Sequence, residues 1–256
     1  MFFYGIKKTK YKQSRISGIH QRATKTNPIF YVDKDGEKIL IHYQDKDGNN
    51  KSYEYGSKQQ VPDDEFVQNT ILAIEHLRKS DIGSGIVDLI ASSTTKNLNI
   101  IKTNSVENFH FKPVIKDLNG NMIPKGNSVD DANNVMINEG TIKFNPNKSI
   151  EFNTANGTKS ISPATALSHE LGHAFSAFFA TFSFVTGLNT PDATFVNQQE
   201  RFTTEQIENK IAEFFMEGIR TDRSGSEIET IGPTTNQKVV TSDSQLNQGT
   251  PVELEN

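Results

Sequence analysis

The chain has 256 residues, enough for one large domain or two small ones with a sizeable core. Its formal net charge of −4 gives no electrostatic reason to expect nucleic acid or a membrane surface as a partner. Cysteine is absent, which excludes disulfides, a thiolate nucleophile and a cysteine-bound metal.

The N-terminal residues 1–28 are basic, lack helical or strand periodicity and are predicted to form a loose arm. Their apolar run is too short for a signal peptide, and no later segment is long and apolar enough to span a membrane. We therefore expect a soluble protein that is secreted, or delivered into a target cell, by a route that needs no signal peptide.

Residues 29–223 are predicted to form the folded domain. Alternating apolar residues before residue 56 predict a β-meander with turns at Asp35–Gly36 and Asp47–Gly48. An amphipathic helix is predicted over Asp63–Ser80, followed by a short helix at 86–91.

The middle of the domain is predicted to contain a strand at 98–103 and then mostly loop over 104–134. Residues 135–153 are typical of strands, and a turn near Gly140 and a stop at Pro146 are predicted within them.

The second half is predicted to be helical. The strongest helix begins after Ser162, a good N-cap, with Pro163 at its first position. Another helix is predicted over Thr203–Ile219, where Thr203 and Gln206 fit a capping box. Residues 224–256 are polar and are predicted to form a flexible tail.

The strongest helix carries His169-Glu170-Leu171-Gly172-His173, which matches the HExxH pattern of zinc hydrolases. In a helix the two histidines lie one turn apart and about 40° apart around the axis, so both imidazoles can reach one ion. Small residues share this side of the helix and leave room for an ion and a substrate. A helix whose histidines only filled a core would not need such small residues beside them. The pattern predicts one Zn²⁺ per chain, with Glu170 as the general base.

A catalytic zinc ion usually has three protein ligands, and no histidine follows His173. A later carboxylate is therefore expected, with Glu200, Glu205 and Glu208 as the candidates. Glu208 is preferred because it lies on the apolar stripe of the predicted second helix; Glu200 remains the alternative, as a ligand or as a partner of a zinc histidine. Arg220 is the predicted oxyanion stabiliser, unless it only favours the end of that helix.

The segments around the motif are SPATALSHELGH, the preceding TIKFNP and the following ERFTTEQIENKIAEFFMEGIR. Together they resemble the M91 family of effector-type zinc metallopeptidases, which includes injected (type III) bacterial effector proteases and C-terminal domains of Rhs-type toxins. The resemblance covers about residues 135–223. It implies an α+β, zincin-like fold, in which a small β-sheet packs on the HExxH helix and on a following helix that bears a glutamate.

The resemblance also implies roles for single residues. It makes His169 and His173 zinc ligands and Glu170 the base, and it favours Glu208 as the third ligand because the family's Glu-Asn pair falls on Glu208-Asn209. Effector members have a tyrosine shortly after the arginine that matches Arg220, and this chain has none there.

The function predicted from these features is that of a zinc-dependent endopeptidase of gluzincin type, exported as a toxin or effector. Its substrate is expected to be a protein or peptide in extended form, paired with a strand edge at TIKFNP. We further expect an immunity protein as a partner, a monomeric state, and no contact with nucleic acid or membrane. The alternatives are a zinc hydrolase of a non-peptide amide or ester, and a non-catalytic binding module stabilised by zinc with four protein ligands.

Overall fold

The computed structural model describes residues 38–123 and 132–239. The predicted basic arm at 1–28, the predicted turn at Asp35–Gly36 and residues 240–256 lie outside the described residues.

Five strands form a mixed sheet. They are β1 (Ile39–Gln44), β2 (Asn50–Glu54), β3 (Asn97–Lys102), β4 (His110–Asp117) and β5 (Val135–Phe144). Their order is β2-β1-β3-β5-β4, with β1, β3 and β5 parallel and the two outer strands antiparallel to their neighbours. Alternate residues of the parallel strands, such as Ile41, Ile100 and Ile142, are fully buried in the core.

Two helices, α1 (Glu65–Leu77) and α2 (Asp81–Ala91), connect β2 to β3. The side chain of Asp64 accepts a hydrogen bond at the start of α1, and that of Ser80 does so at the start of α2. Each helix turns one apolar side to the core. The predicted helix over 63–80 is therefore confirmed, and the short one predicted at 86–91 begins five residues earlier.

Three sequence predictions for the sheet are wrong. Residues 104–123 were predicted to be mostly loop, but they contain the half-buried strand β4. Strand β5 runs without a turn through Gly140, where a Cβ atom would lie 2.2 Å from Cε2 of Phe111. Glycine is needed there for close packing and not for a turn. The TIKFNP segment ends β5 between β3 and β4, so it offers no free edge to a substrate.

A smaller antiparallel sheet consists of β6 (Lys148–Thr154), β7 (Gly157–Ser160) and β10 (Ser226–Glu229) in the order β10-β6-β7. Strand β10 lies in the predicted tail. It pairs along β6, and Ile228 on it is buried. The prediction of a flexible tail from residue 224 is therefore wrong for residues 226–229, because this strand has both a pairing partner and a buried side chain.

The other half of the chain is mainly helical. It contains α3 (Pro163–Phe179), α4 (Thr181–Leu188), the short strands β8 (Pro191–Asp192) and β9 (Val196–Asn197), α5 (Gln198–Thr203), a π turn (Thr204–Glu208) and α6 (Asn209–Phe214). Helix α3 contacts α1, α2, β4, β5 and β6, and most of its side chains are buried. The Ser162 cap and Pro163 at its start are confirmed.

Helix α5 begins earlier than predicted. Its N-cap is Asn197, whose side chain accepts a hydrogen bond from the backbone N–H of Glu200. The predicted capping box at Thr203 is therefore wrong, and Glu200 lies on the helix. The predicted α+β class is confirmed. No helix within the described ranges is long and apolar enough to cross a membrane.

Candidate metal centre

Helix α3 supplies two buried histidines one turn apart. The Nε2 atoms of His169 and His173 lie 3.1 Å from each other. Two ring nitrogens at this distance require a proton or a cation between them, because their lone pairs would otherwise repel. Glu170 is buried beside His169, and its Oε2 atom has no hydrogen-bond partner among the described residues.

Helix α5 brings a carboxylate to the same point. Oε2 of Glu200 lies 3.2 Å from Nε2 of His169, and Oε1 of Glu200 lies 3.5 Å from Nε2 of His173. For a tetrahedral zinc ion with ligand bonds of about 2.0–2.2 Å, donor atoms are roughly 3.3–3.6 Å apart. The three side chains therefore fit one zinc ion, and they form a donor group that can hold a metal.

Gly172, the glycine inside the motif, allows the two helices to approach. A Cβ atom at Gly172 would lie 2.9 Å from Cγ2 of Thr203 and 2.8 Å from Cδ1 of Ile207. Any larger residue would push α5 and the π turn away from α3. The motif's glycine therefore sets the distance across which Glu200 reaches the histidines.

Glu208 lies on the other side of His169. Its Oε2 atom is 2.8 Å from Nδ1 of His169, the nitrogen that points away from Nε2. Both of its oxygens also contact Nη1 of Arg220, at 3.3 and 3.2 Å. Glu208, the predicted third ligand, therefore contacts Nδ1 of His169, whereas Glu200 faces the Nε2 atoms of both histidines.

The π turn explains how two carboxylates of one helical segment reach opposite sides of the same imidazole. Glu200 and Glu208 are eight positions apart, which in an α-helix would place them about 80° apart around the axis. The π turn over Thr204–Glu208 takes up one extra residue, which reduces the angle to about 20°. Both side chains then face α3.

His173 has its own support. Oγ1 of Thr203 lies 3.4 Å from Nδ1 of His173 and accepts a hydrogen bond of 3.0 Å from Nε2 of Gln199. Thr203 and Gln199 are both buried. Sequence reasoning missed this pair; the signal that points to it is the Asn197 cap, which places residues 199 and 203 on one side of α5.

Arg220 is a buried residue of the site. Its backbone is held by Asn209, whose side chain accepts from its N–H and donates to its C=O. Its guanidinium contacts both oxygens of Glu208, the carboxylate on the Nδ1 side of His169. Arg220 and Arg223 both line a cavity of about 160 Å³ that also contains His169, Glu170 and Glu208.

The electrostatics of the centre favour positive charge. Burial would lower the pKa of His169, but its contacts with Glu200 and Glu208 outweigh burial and raise the pKa to about 10. Burial would raise the pKa of Glu200, yet the two imidazoles hold it well below its usual range. The pKa of Glu208 is also lowered, because the effects of Arg220 and then of His169 outweigh that of burial. The same field that stabilises a proton here favours a divalent cation.

A known family matches the part of the chain that carries most of this site. The model of the M91 peptidase family, described as an effector protein family, matches residues 54–208, which is more than half of the chain. The chain belongs to the M91 family. The match includes the HExxH motif, Glu200 and Glu208, and it ends before Arg220 and Arg223. Membership of this family supports the prediction that the chain is a metallopeptidase effector. No curated protein matches the chain.

Two solved structures are similar to part of this M91 member. The catalytic domain of Clostridium botulinum neurotoxin serotype F is 16% identical, with a TM-score of 0.35, over 54% of this chain and 41% of that one. The light chain of the same serotype is 14% identical, with a TM-score of 0.32, over 50% of this chain and 37% of that one. The M91 chain thus spans less than half the length of either protein.

Proposed function

We propose that this M91 member is a zinc-dependent endopeptidase of zincin type, delivered as an effector, in which His169, His173 and Glu200 hold one zinc ion. One observation carries the proposal: two imidazole nitrogens and one carboxylate converge at 3.1–3.5 Å, with the unpartnered Oε2 of Glu170 close by. A glutamate from a later helix as third ligand makes the site gluzincin-like.

The other polar residues orient these ligands. Glu208 contacts Nδ1 of His169 and so favours the tautomer that leaves Nε2 open for a metal. Arg220 balances the charge of Glu208 and fixes its position. The hydroxyl of Thr203 contacts Nδ1 of His173 and orients that ring without adding a charge. Because the donor group found in the described ranges has three members and not four, the site has the pattern of a catalytic centre more than that of a structural one.

The reaction follows from these positions. A zinc ion held by His169, His173 and Glu200 would supply Lewis acidity, which would lower the pKa of a water and polarise the scissile carbonyl. Glu170 takes a proton from the attacking water and passes it to the leaving nitrogen. Its Oε2 atom is suited to this task because no other group of the described chain binds it.

The proposed substrate is a protein in extended form, and its support is membership of an effector peptidase family. The interior position of β5 removes TIKFNP as the edge that would bind it. A hydrolase of a small amide or ester would share the zinc site but would create no new protein N-termini.

Zinc content tests the ligand assignment. Zinc is measured by mass spectrometry after dialysis against a mild chelator, with circular dichroism to confirm folding. Glu200→Ala should lose the metal, because two histidines alone hold zinc weakly. Glu205→Ala is the matched control, an exposed glutamate of the same helical segment that pairs with Arg201. Folded Glu200→Ala with stoichiometric zinc would refute the assignment.

Activity is tested with Glu170→Gln, which should keep its zinc and lose about 10²–10⁴ in rate. The assay is proteomic profiling of N-termini in a host-cell lysate treated with wild type or with this variant. New N-termini that appear only with wild type identify the substrate and the cleaved bond. Equal profiles from two zinc-loaded proteins would remove the endopeptidase proposal.

A further inference from the structure

Arg223 lies at the open side of the candidate metal centre. Its Nη1 atom is 3.3 Å from Oε1 of Glu200, and its side chain is 48% exposed. It lines the same cavity as His169 and Glu170. Its guanidinium therefore contacts the carboxylate of the proposed zinc ligand Glu200 and is also open to solvent.

The two arginines of this cavity differ in how firmly they are held. Arg220 is 8% exposed, contacts both oxygens of the buried Glu208 and has its backbone fixed by Asn209. Arg223 follows three residues later in a bend and makes one half-exposed ion pair with the described part of the chain. Exposed ion pairs of this kind contribute about 0–1 kcal/mol and exchange readily. Arg223 is thus the cation that can turn toward a ligand without leaving a buried charge unpaired.

We propose that Arg223 is a catalytic residue that binds the substrate's carbonyl oxygen and stabilises the negative charge that forms on it. The proposal rests on the zinc peptidase function proposed above. As water attacks the carbonyl carbon, the electron pair of the C=O π bond moves to the oxygen, and the guanidinium of Arg223 donates hydrogen bonds to that oxygen. The C–N bond then breaks, C=O forms again, and the leaving nitrogen takes the proton that Glu170 removed from water.

The geometry places these groups in a consistent order. Glu170 is the cavity's base, and Arg223 is its cation with donors exposed to solvent, since a guanidinium has five N–H groups and one contact is seen to Glu200. Without substrate, Arg223 forms its ion pair with Glu200. We therefore assign the oxyanion role, predicted for Arg220, to Arg223. Arg220 acts by positioning Glu208.

Inorganic phosphate tests this role without any knowledge of the substrate. Its oxyanion resembles the charge that Arg223 would bind, and its affinity for the zinc-loaded protein is measured by isothermal titration calorimetry. Zinc uptake is measured first, so a wild type that takes up no zinc overturns the proposed function. Arg223→Gln should keep its zinc and bind phosphate at least tenfold more weakly, as expected for the loss of a charge-assisted hydrogen bond.

Arg201→Gln is the matched control. Arg201 is 40% exposed on α5 but pairs with Asp192 and Glu205, and it does not line the cavity. Its phosphate affinity should equal that of wild type. Three results would overturn the proposal: no phosphate binding by zinc-loaded wild type, equal phosphate affinity in Arg223→Gln, or loss of zinc in Arg223→Gln, which would make Arg223 a mere support of Glu200.

Kinetics on a peptide that spans the bond identified by N-terminal profiling provide the second readout. Removal of an oxyanion donor typically lowers kcat by about 10²–10³. Arg223→Gln should show that loss with little change in KM, and Arg223→Lys should recover part of kcat. A rise in KM alone would assign Arg223 to substrate binding and contradict the proposal.

Discussion

At the scale of single residues, the two histidines are supported by chemically different partners. His169 has the carboxylate of Glu208 at Nδ1, whereas His173 has the neutral hydroxyl of Thr203. Such partners typically change metal affinity by about 10–100-fold. Thr203→Val keeps the shape of the side chain but removes the hydroxyl, so we expect zinc affinity to fall within that range. Competition with a chelator measures it.

Thr203→Ser separates the hydroxyl from the methyl group of Thr203. It should hold zinc nearly as well as wild type, because its Oγ atom can still bind Nδ1 of His173. If Thr203→Val and wild type compete equally with the chelator, the 3.4 Å contact has no part in metal binding.

Gly172 is the second residue with a sharp prediction. In a helix interior, alanine is favoured over glycine by about 1 kcal/mol, but a Cβ atom here would meet Thr203 and Ile207 at 2.9 and 2.8 Å. Overpacking typically costs about 1–3 kcal/mol, so the packing effect should win. Gly172→Ala is expected to unfold at lower denaturant concentration and to bind zinc more weakly, since α5 must move outward.

Gly85→Ala is the matched control in helix α2. No atom lies within 4 Å of a Cβ at this exposed position, so alanine should raise stability by about 0.5–1 kcal/mol. If urea titration shows Gly172→Ala to be stabilised like Gly85→Ala, the packing at Gly172 has room for a methyl group and the prediction is wrong.

At the scale of elements, local patterns predicted some features and not others. The histidine pair and the Ser162 cap were predictable, because helical spacing and capping depend on residues a few positions apart. The third ligand that we propose, Glu200, was not. Its assignment depended on the start of one helix, which the Asn197 cap moves five residues upstream of Thr203, and on the π turn, which no apolar periodicity reveals.

Strand prediction failed for a related reason. Strand β4 is half-buried along its length, so it lacks the clear alternation of apolar and polar residues that marks a strand with one solvated face. Gly140 looked like a turn residue in the sequence. Glycine is needed there because the ring of Phe111 packs against it, and Phe111 lies on a strand more than twenty residues earlier. Both features depend on contacts across the sheet.

The packing of α1 against the end of α6 gives a prediction of pH dependence. The ring of His76 stacks on Phe215 at 3.9 Å between centroids, and burial, then Lys79, lowers the pKa of His76 to about 4. The folded state thus binds this proton less tightly than the unfolded state, whose pKa is about 6.5. The stabilisation is present above that value and is lost as the pH falls from about 6.5 through 4.

His76→Phe keeps an aromatic ring against Phe215 and removes the titration. Between pH 7 and pH 5, the melting temperature of wild type should therefore fall by more than that of His76→Phe. The two proteins are compared by thermal circular dichroism at both pH values. Parallel falls would mean that His76 is protonated in the folded protein as easily as in the unfolded one.

At the scale of the whole molecule, the segment after Arg223 connects the small sheet to helix α3. The carbonyl of Pro233 accepts a 2.9 Å hydrogen bond from the N–H of Ala164 in the first turn of α3. Side-chain contacts also join the segment to the wall of the cavity: Glu227 accepts from Oγ of Ser105 and from the N–H of Val106, each at 2.8 Å. Val106 lines the cavity. The polar composition of this segment conceals its structural role.

Truncation therefore distinguishes two parts of the predicted tail. A chain that ends after Val239 keeps β10 and is the reference for melting temperature and zinc affinity. A chain that ends after Arg223 loses the strand that pairs with β6 and the buried Ile228, and it exposes the first turn of α3. We expect it to melt at a clearly lower temperature and to hold zinc less tightly, because α3 carries both histidines. Thermal circular dichroism and chelator competition measure the two effects. If the chain ending at Arg223 equals the chain ending at Val239 in both, β10 is dispensable and the site depends on the earlier elements alone.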